Sequence, residues 1–160
     1  MIKEITKKDI PECVRIIKES FMTVANEFGF TVENAPRFTA FSMNTERLET
    51  QYETESRLMF AYFDNERPIG FYALNILNSD ECELNNLSVL PAYRHKKIGE
   101  KMLLHAIKQA KEKNCKIMQI GIVEENKVLR SWYEKFGFIH IGTKKFEFFP
   151  FTCGYMKKLL

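Results

Sequence analysis

At 160 residues, with 45% apolar and 28% charged side chains, the chain has the size and composition of one folded, soluble domain with a single core. A net charge of +3 is too small for a nucleic-acid binder, and no apolar run approaches the roughly 18 residues that span a bilayer, so neither nucleic acid nor a membrane is expected as a partner. The opening MIKEITKKDI has no signal-peptide stretch, and the four cysteines, Cys13, Cys82, Cys115 and Cys153, form no C-x-x-C pair; this points to the cytoplasm, reduced thiols and no metal.

In chain order, Ile2 and Ile5 alternate with polar neighbours over residues 1–6, the pattern of a short strand. Asp9 and Glu12 have capping-box spacing around Pro11, whose missing N–H costs little in a first turn. Ile10, Cys13, Val14, Ile16, Ile17 and Phe21 then recur at helical spacing. Periodicity weakens from Thr23 to Asn44, which predicts an interrupted helix or a long connection, and a short helix begins near Thr45, a residue able to cap it.

Residues 57–63 and 69–77 are strand-like runs around the turn cluster Asp64-Asn65-Glu66-Arg67-Pro68, so they form a hairpin. A second turn at Asn78-Ser79-Asp80 returns the chain as a third antiparallel strand from Glu83 to Val89. Pro91 closes that strand because it has no N–H for the ladder. Ala92 and Tyr93 lead into the basic run Arg94-His95-Lys96-Lys97. Ile98 to Asn114 is then an amphipathic helix whose apolar stripe is Ile98, Met102, Leu103, Ala106, Ile107 and Ala110.

A strand, a basic turn and a helix start make an anion site, since first-turn N–H groups lack intrahelical partners and the helix dipole favours negative charge. A run such as RHKK is commonly no more than a solvated face. At this junction, between Pro91 and Gly99, it suits a polyphosphate. Lys116 to Val123 reads as a buried strand, set parallel to 83–89 by the crossover helix. Asn126 opens a helix, NKVLRSWYEKF, that Gly137 ends. Strands at 138–143 and 155–160 follow, joined by an aromatic-rich connection, and a free strand edge at the C-terminus leaves a homodimer open. The class is α/β, a mixed and mostly antiparallel sheet flanked by helices.

Val89, Pro91, Tyr93, Arg94 and Gly99 resemble the acyl-CoA-binding motif of the GNAT superfamily of N-acetyltransferases, V-x-P-x-[YW]-[RQ]-x-x-G-x-[GA]. Lys97 stands where the first glycine is expected. Asn126 to Phe138, NKVLRSWYEKFGF, resembles a second segment of that family, N-x(6)-Y-[EK]-[KR]-x-G-F. The resemblance extends over residues 1–160 as a single domain. It implies direct transfer of an acetyl group from acetyl-CoA, a co-substrate, to a primary amine of a small molecule or peptide.

The resemblance also implies roles for particular residues. Leu87 and Val89 would flank the cofactor on the strand, with a backbone N–H near Val89 serving the thioester carbonyl. The backbone from His95 through Lys96, Lys97, Ile98 and Gly99 to Glu100 would cradle the pyrophosphate, while Arg94 and Lys96 add charge. Asn126 would bond the pantetheine or phosphate region, Tyr133 would protonate the leaving thiolate, and Glu83 would serve as base. Without the family, Tyr133 is a core aromatic and Glu83 a solvated carboxylate beside Asp80 and Glu81. In the family the connection FEFFPFTCGY at 146–155, with Glu147, lies beside the acceptor, although packing of the last strand explains these rings equally well. His105 and His140 have no partner spacing of a dyad or metal site. Two other readings stay open: a non-catalytic acyl-CoA-binding domain of the same fold, resting on Lys97, and a nucleic-acid module, resting on RHKK.

Overall fold

The computed structural model describes residues 1–160 as one seven-stranded sheet with helices on both faces. In chain order the elements are β1 (Ile2–Glu4), α1 (Ile10–Phe28), α2 (Thr39–Ser42), α3 (Thr45–Glu53), β2 (Leu58–Asp64), β3 (Arg67–Ile76) and β4 (Glu81–Val89), then α4 (Ile98–Glu112), β5 (Ile117–Val123), α5 (Lys127–Lys135), β6 (Ile139–Lys145) and β7 (Thr152–Leu159). Strand order is β1-β2-β3-β4-β5-β7-β6, and every neighbouring pair is antiparallel except β4 with β5. No helix is long and apolar enough to cross a membrane.

The expected meander is present as β2, β3 and β4. Its first turn is tight, with Asp64 opposite Arg67 and Asn65 at φ 57°. β3 is buried from Pro68 through Leu74, so the run reads as continuously apolar rather than alternating, as a strand covered on both faces must. On one face the Tyr72 hydroxyl lies 2.8 Å from Nδ1 of His105 on α4. Burial holds the imidazole below its ordinary pKa, which leaves a neutral nitrogen to accept from the phenol. The opposite face of β3 and β4 is covered by α1. Ile10, Cys13, Ile16 and Ile17 are fully enclosed there.

Several local expectations are corrected. The capping carboxylate at Asp9 serves the preceding turn: it accepts from the Thr6 N–H at 2.8 Å, while Glu12 pairs with Arg15. α1 runs on through Phe28 until Gly29, at φ 73°, stops it. Asn44, not Thr45, caps α3, its side chain accepting from the Arg47 N–H at 2.8 Å. The last strand is enclosed between β5 and β6, so the free edge near the C-terminus is β6. A separate aromatic cluster of Phe30, Phe38 and Phe151 ties the connection after α1 to the one before β7.

Two features shape the middle of the sheet. β4 and β5 are hydrogen-bonded partners only at Glu81–Ile117, Cys82–Met118 and Glu83–Gln119, then part. Further along β4 the register slips: Asn85 faces Ala73 and Ser88 faces Phe71, so Asn86 and Leu87 together oppose Tyr72. Asn86 takes φ 53° at this bulge, which reverses the facing of every later side chain on β4.

The bulge also brings α4 close to the sheet. A Cβ on Gly70 would lie 2.6 Å from the Met102 sulfur and 3.2 Å from the Ser88 carbonyl oxygen. Gly70→Ala is therefore expected to lower stability by about 1–3 kcal/mol, read as a lower urea midpoint at unchanged slope.

Candidate active site

Beside the end of β4, past the point where it leaves β5, a cleft of about 690 Å³ opens between α1, β4 and α5. One wall is the exposed side of α1, with Ser20, Thr23, Val24 and Glu27. β4 contributes Leu87, Ser88 and Val89, and α5 contributes Asn126, Leu129, Trp132 and Tyr133. The mouth is the loop from Tyr93 to the first turn of α4. Of the residues expected from sequence, Glu83 and Lys96 alone are outside the lining.

The mouth carries a row of unused donors. None of the backbone N–H groups from His95 to Glu100 donates to a protein acceptor; the first helical bond of α4 runs from the Lys101 N–H to the Lys97 carbonyl. His95 and Lys97 both take left-handed backbone conformations, at φ 64° and 61°. Lys97 is therefore not helical in the right-handed sense, the one conformation in which lysine would have replaced the expected glycine without strain. Gly99 is different: its φ is not positive, and an added Cβ would rest at ordinary contact, 3.8 Å from Trp132 and 3.9 Å from Val89. Alanine would be tolerated there.

Arg94 departs from the expectation of a phosphate cation. Its guanidinium turns into α1, donating to the Thr23 hydroxyl at 3.0 Å, the Ser20 hydroxyl at 3.0 Å and the Ser20 carbonyl at 3.2 Å, and back to the Val89 carbonyl at 3.3 Å. It is a clamp that fixes the loop to the opposite wall. Lys96 is exposed, its ammonium 5.5 Å from the Tyr93 ring centroid. Asn126 caps α5, its side-chain oxygen accepting from the Leu129 N–H at 3.2 Å, which leaves its amide NH₂ without a protein partner.

Tyr133 is both a packed aromatic and a lining residue of the cleft. Its ring is buried against Trp132 and Phe138, at centroid separations of 5.0 and 5.3 Å. Yet its hydroxyl makes no hydrogen bond to protein, and the residue lines the cleft. Burial raises its pKa well above the usual phenol value, so it stays protonated at neutral pH. Glu83 lies four residues before Leu87 on β4, about 13 Å back at strand rise. It is on the face toward α1, half-buried, with one carboxylate oxygen accepting from the Asn85 amide at 2.5 Å.

The α1 wall was missed by sequence reasoning. Its signal was present: Ser20, Thr23, Val24 and Glu27 share one helical face beyond Phe21, where polarity concealed the stripe. Trp132 was not singled out from sequence.

The geometry defines a mixed α/β fold with a cleft beside β4 whose mouth presents a row of free backbone donors. A sequence profile described as the Acetyltransferase (GNAT) family matches residues 23–138. The Escherichia coli N-acetyltransferase YjgM is 30% identical over 150 residues, 88% of this chain and 83% of that one. Spermidine N(1)-acetyltransferase of Thermoplasma acidophilum is 26% identical over 141 residues, 86% of each. The crystal structure of PaiA N-acetyltransferase from Thermoplasma acidophilum, in complex with coenzyme A, shares the fold with a TM-score of 0.82 at 24% identity, covering 100% of this chain and 98% of that one. The chain belongs to the GNAT acetyltransferase family. It is an acetyl-CoA-dependent N-acetyltransferase, transferring acetyl from that co-substrate to an amine.

Replacing Lys97 by glycine removes a left-handed lysine and is expected to raise unfolding stability by about 1 kcal/mol. A loss of stability on chemical denaturation would contradict that account of the turn. Arg94→Ala, by contrast, is expected to lower stability as well as cofactor affinity, because it removes the donors that tie the loop to Ser20 and Thr23 of α1.

Proposed function

We propose that acetyl-CoA lies along β4 where that strand leaves β5, its pyrophosphate seated on the N–H groups from His95 to Glu100. The observation that carries this reading is that uninterrupted row of unused donors at the mouth of the cleft. Leu87 and Val89 flank the pantetheine, and the Asn126 amide NH₂ donates to it. The thioester carbonyl takes a backbone N–H near Val89, an interaction that strengthens as negative charge builds on the oxygen.

The acceptor must reach the thioester as a free amine, whereas an alkylammonium has a pKa of about 10.4. Glu83 removes that proton, through water across the distance that separates it from the cleft. The amine attacks the carbonyl carbon, the tetrahedral intermediate collapses, the Tyr133 phenol delivers its proton to the departing thiolate, and the proton released by the acylated nitrogen restores the phenol through water. A covalent acetyl-enzyme is unnecessary on this route. The thiols support that view, since burial pushes Cys13 and Cys82 up to about 12, out of the range of useful nucleophiles.

The acceptor is a primary amine of a small molecule or peptide. Its cationic form suits the face where Glu81 and Glu83 stand side by side in strand parity, on the same sheet face as Tyr155. A spermidine acetyltransferase among the relatives makes a polyamine the first acceptor to assay. The enzyme works in the cytoplasm, consistent with four free cysteines. Two copies would pair at β6, the outer strand, where Ile139 and Ile141 are exposed.

Calorimetric titration with CoA and with pantetheine tests the cofactor assignment. CoA is expected to bind about 100-fold more tightly, corresponding to the phosphate contacts; equal affinities would overturn it. Tyr133→Phe is expected to lower kcat by about 10²-fold while leaving KM for acetyl-CoA nearly unchanged. Unchanged turnover in that variant would remove the phenol from the chemistry.

A further inference from the structure

On the sheet face toward α1, a line of side chains runs from the segment after α3 to Glu83. The Arg57 guanidinium donates through Nη1 to the Asn85 side-chain oxygen at 3.2 Å. The Asn85 amide nitrogen then donates to Glu83 Oε1 at 2.5 Å. Behind Arg57, Nη2 lies 3.5 Å from the Glu55 carboxylate.

Asn85 thus stands between a group that only donates and a group that, when ionised, only accepts. Its amide has one orientation that satisfies both neighbours. Were Arg57 absent, the amide could turn over and present its oxygen to the carboxylate. A further observation singles out Arg57: its Nε is buried with no partner, so the guanidinium is not seated where its own hydrogen bonds are best met. Its position is explained by Asn85.

We propose that Arg57 is a positioning residue for the transferase reaction: by fixing the Asn85 amide it fixes the seat of the Glu83 carboxylate, whose second oxygen has no protein partner. This rests on the reading of Glu83 as base. Loss of the amide donor leaves the Glu83 carboxylate free to leave that seat, since no other side-chain donor holds it. The other charged and titratable groups on this face are few. Tyr155 on β7 is close enough to Glu83 for that carboxylate to help raise its pKa, after burial. Glu81 holds the Gln119 amide at 2.7 Å, and Lys157 is the register partner of Gln119. On α1, Lys18 is turned away to the Met43 carbonyl at 2.9 Å.

The test is steady-state kinetics of the full chain with spermidine and acetyl-CoA. Arg57→Met is expected to lower kcat about 10-fold with KM for acetyl-CoA unchanged, and Arg57→Lys, which keeps a donor and a charge, to restore most of it. Asn85→Leu leaves the Arg57 charge in place and removes only the amide, so it separates the relay from simple charge proximity; it is expected to give the same loss. An unchanged kcat in Asn85→Leu overturns the proposal, even if Arg57→Met unfolds the protein. The base reading is checked apart from this, by turnover of Glu83→Gln. If Glu83→Gln keeps full turnover while Asn85→Leu and Arg57→Met lose it, the base reading fails and the relay acts on another group, which overturns the proposal as stated. If Glu83→Gln loses turnover while Asn85→Leu does not, the base stands and Arg57 is only structural.

Discussion

Two parallel strands that share a ladder for three residues and then separate are the constraint on which this molecule depends. Separation within a sheet leaves backbone donors and acceptors unmatched, and such groups in a buried setting must find partners elsewhere. On the reading proposed above, the amides of the pantetheine arm are those partners. Both walls follow from the same event. β4 ends at Pro91 and feeds the start of α4, and β5 ends at Val123 and feeds the start of α5. Two helix N-termini thus converge on the mouth of one cleft. The bulge at Asn86 re-phases β4 just there, so Leu87 and Val89 face the side on which α4 and α5 pack.

Much of the fold was legible because its punctuation is local. Asp64 to Pro68 and Asn78 to Asp80 mark the meander, Pro91 and Gly99 frame the loop, and the stripe on α4 is unambiguous. What escaped was either too local or too distant. Thr6, Asp9, Asn44 and Thr45 are all competent caps, so sequence cannot decide between neighbours one or three residues apart. Placement of β7 inside β6 depends on pairing across the sheet, and nothing in the order of strands announces it.

The site divides in the same way. Motif spacing located the loop and Asn126, because backbone donors are supplied by position and not by residue type. The tie of Arg94 to α1 was not legible, because its partners, Ser20 and Thr23, lie more than 70 residues earlier and a basic residue in a basic run gives no sign of them. The link from Arg57 to Asn85, and so to Glu83, was invisible for a related reason: it depends on the β2–β3 and β3–β4 pairings, which bring the start of β2 beside Asn85. Tyr133 could be read either as core or as catalyst, and its buried ring with an unbonded hydroxyl shows why the two readings never conflicted.

The non-glycine residues at the mouth have a consequence for the empty enzyme. Glycines at His95 and Lys97 would leave a loop free to sample many shapes, each of which a cofactor must exclude on arrival. A histidine and a lysine already held at positive φ have few alternatives, and Arg94 ties the segment to α1. The cost of ordering the loop is met when the chain folds, so little of it remains to oppose association. Pre-organisation of this kind favours a cradle that is rigid before its ligand comes, at the expense of a slightly less stable fold.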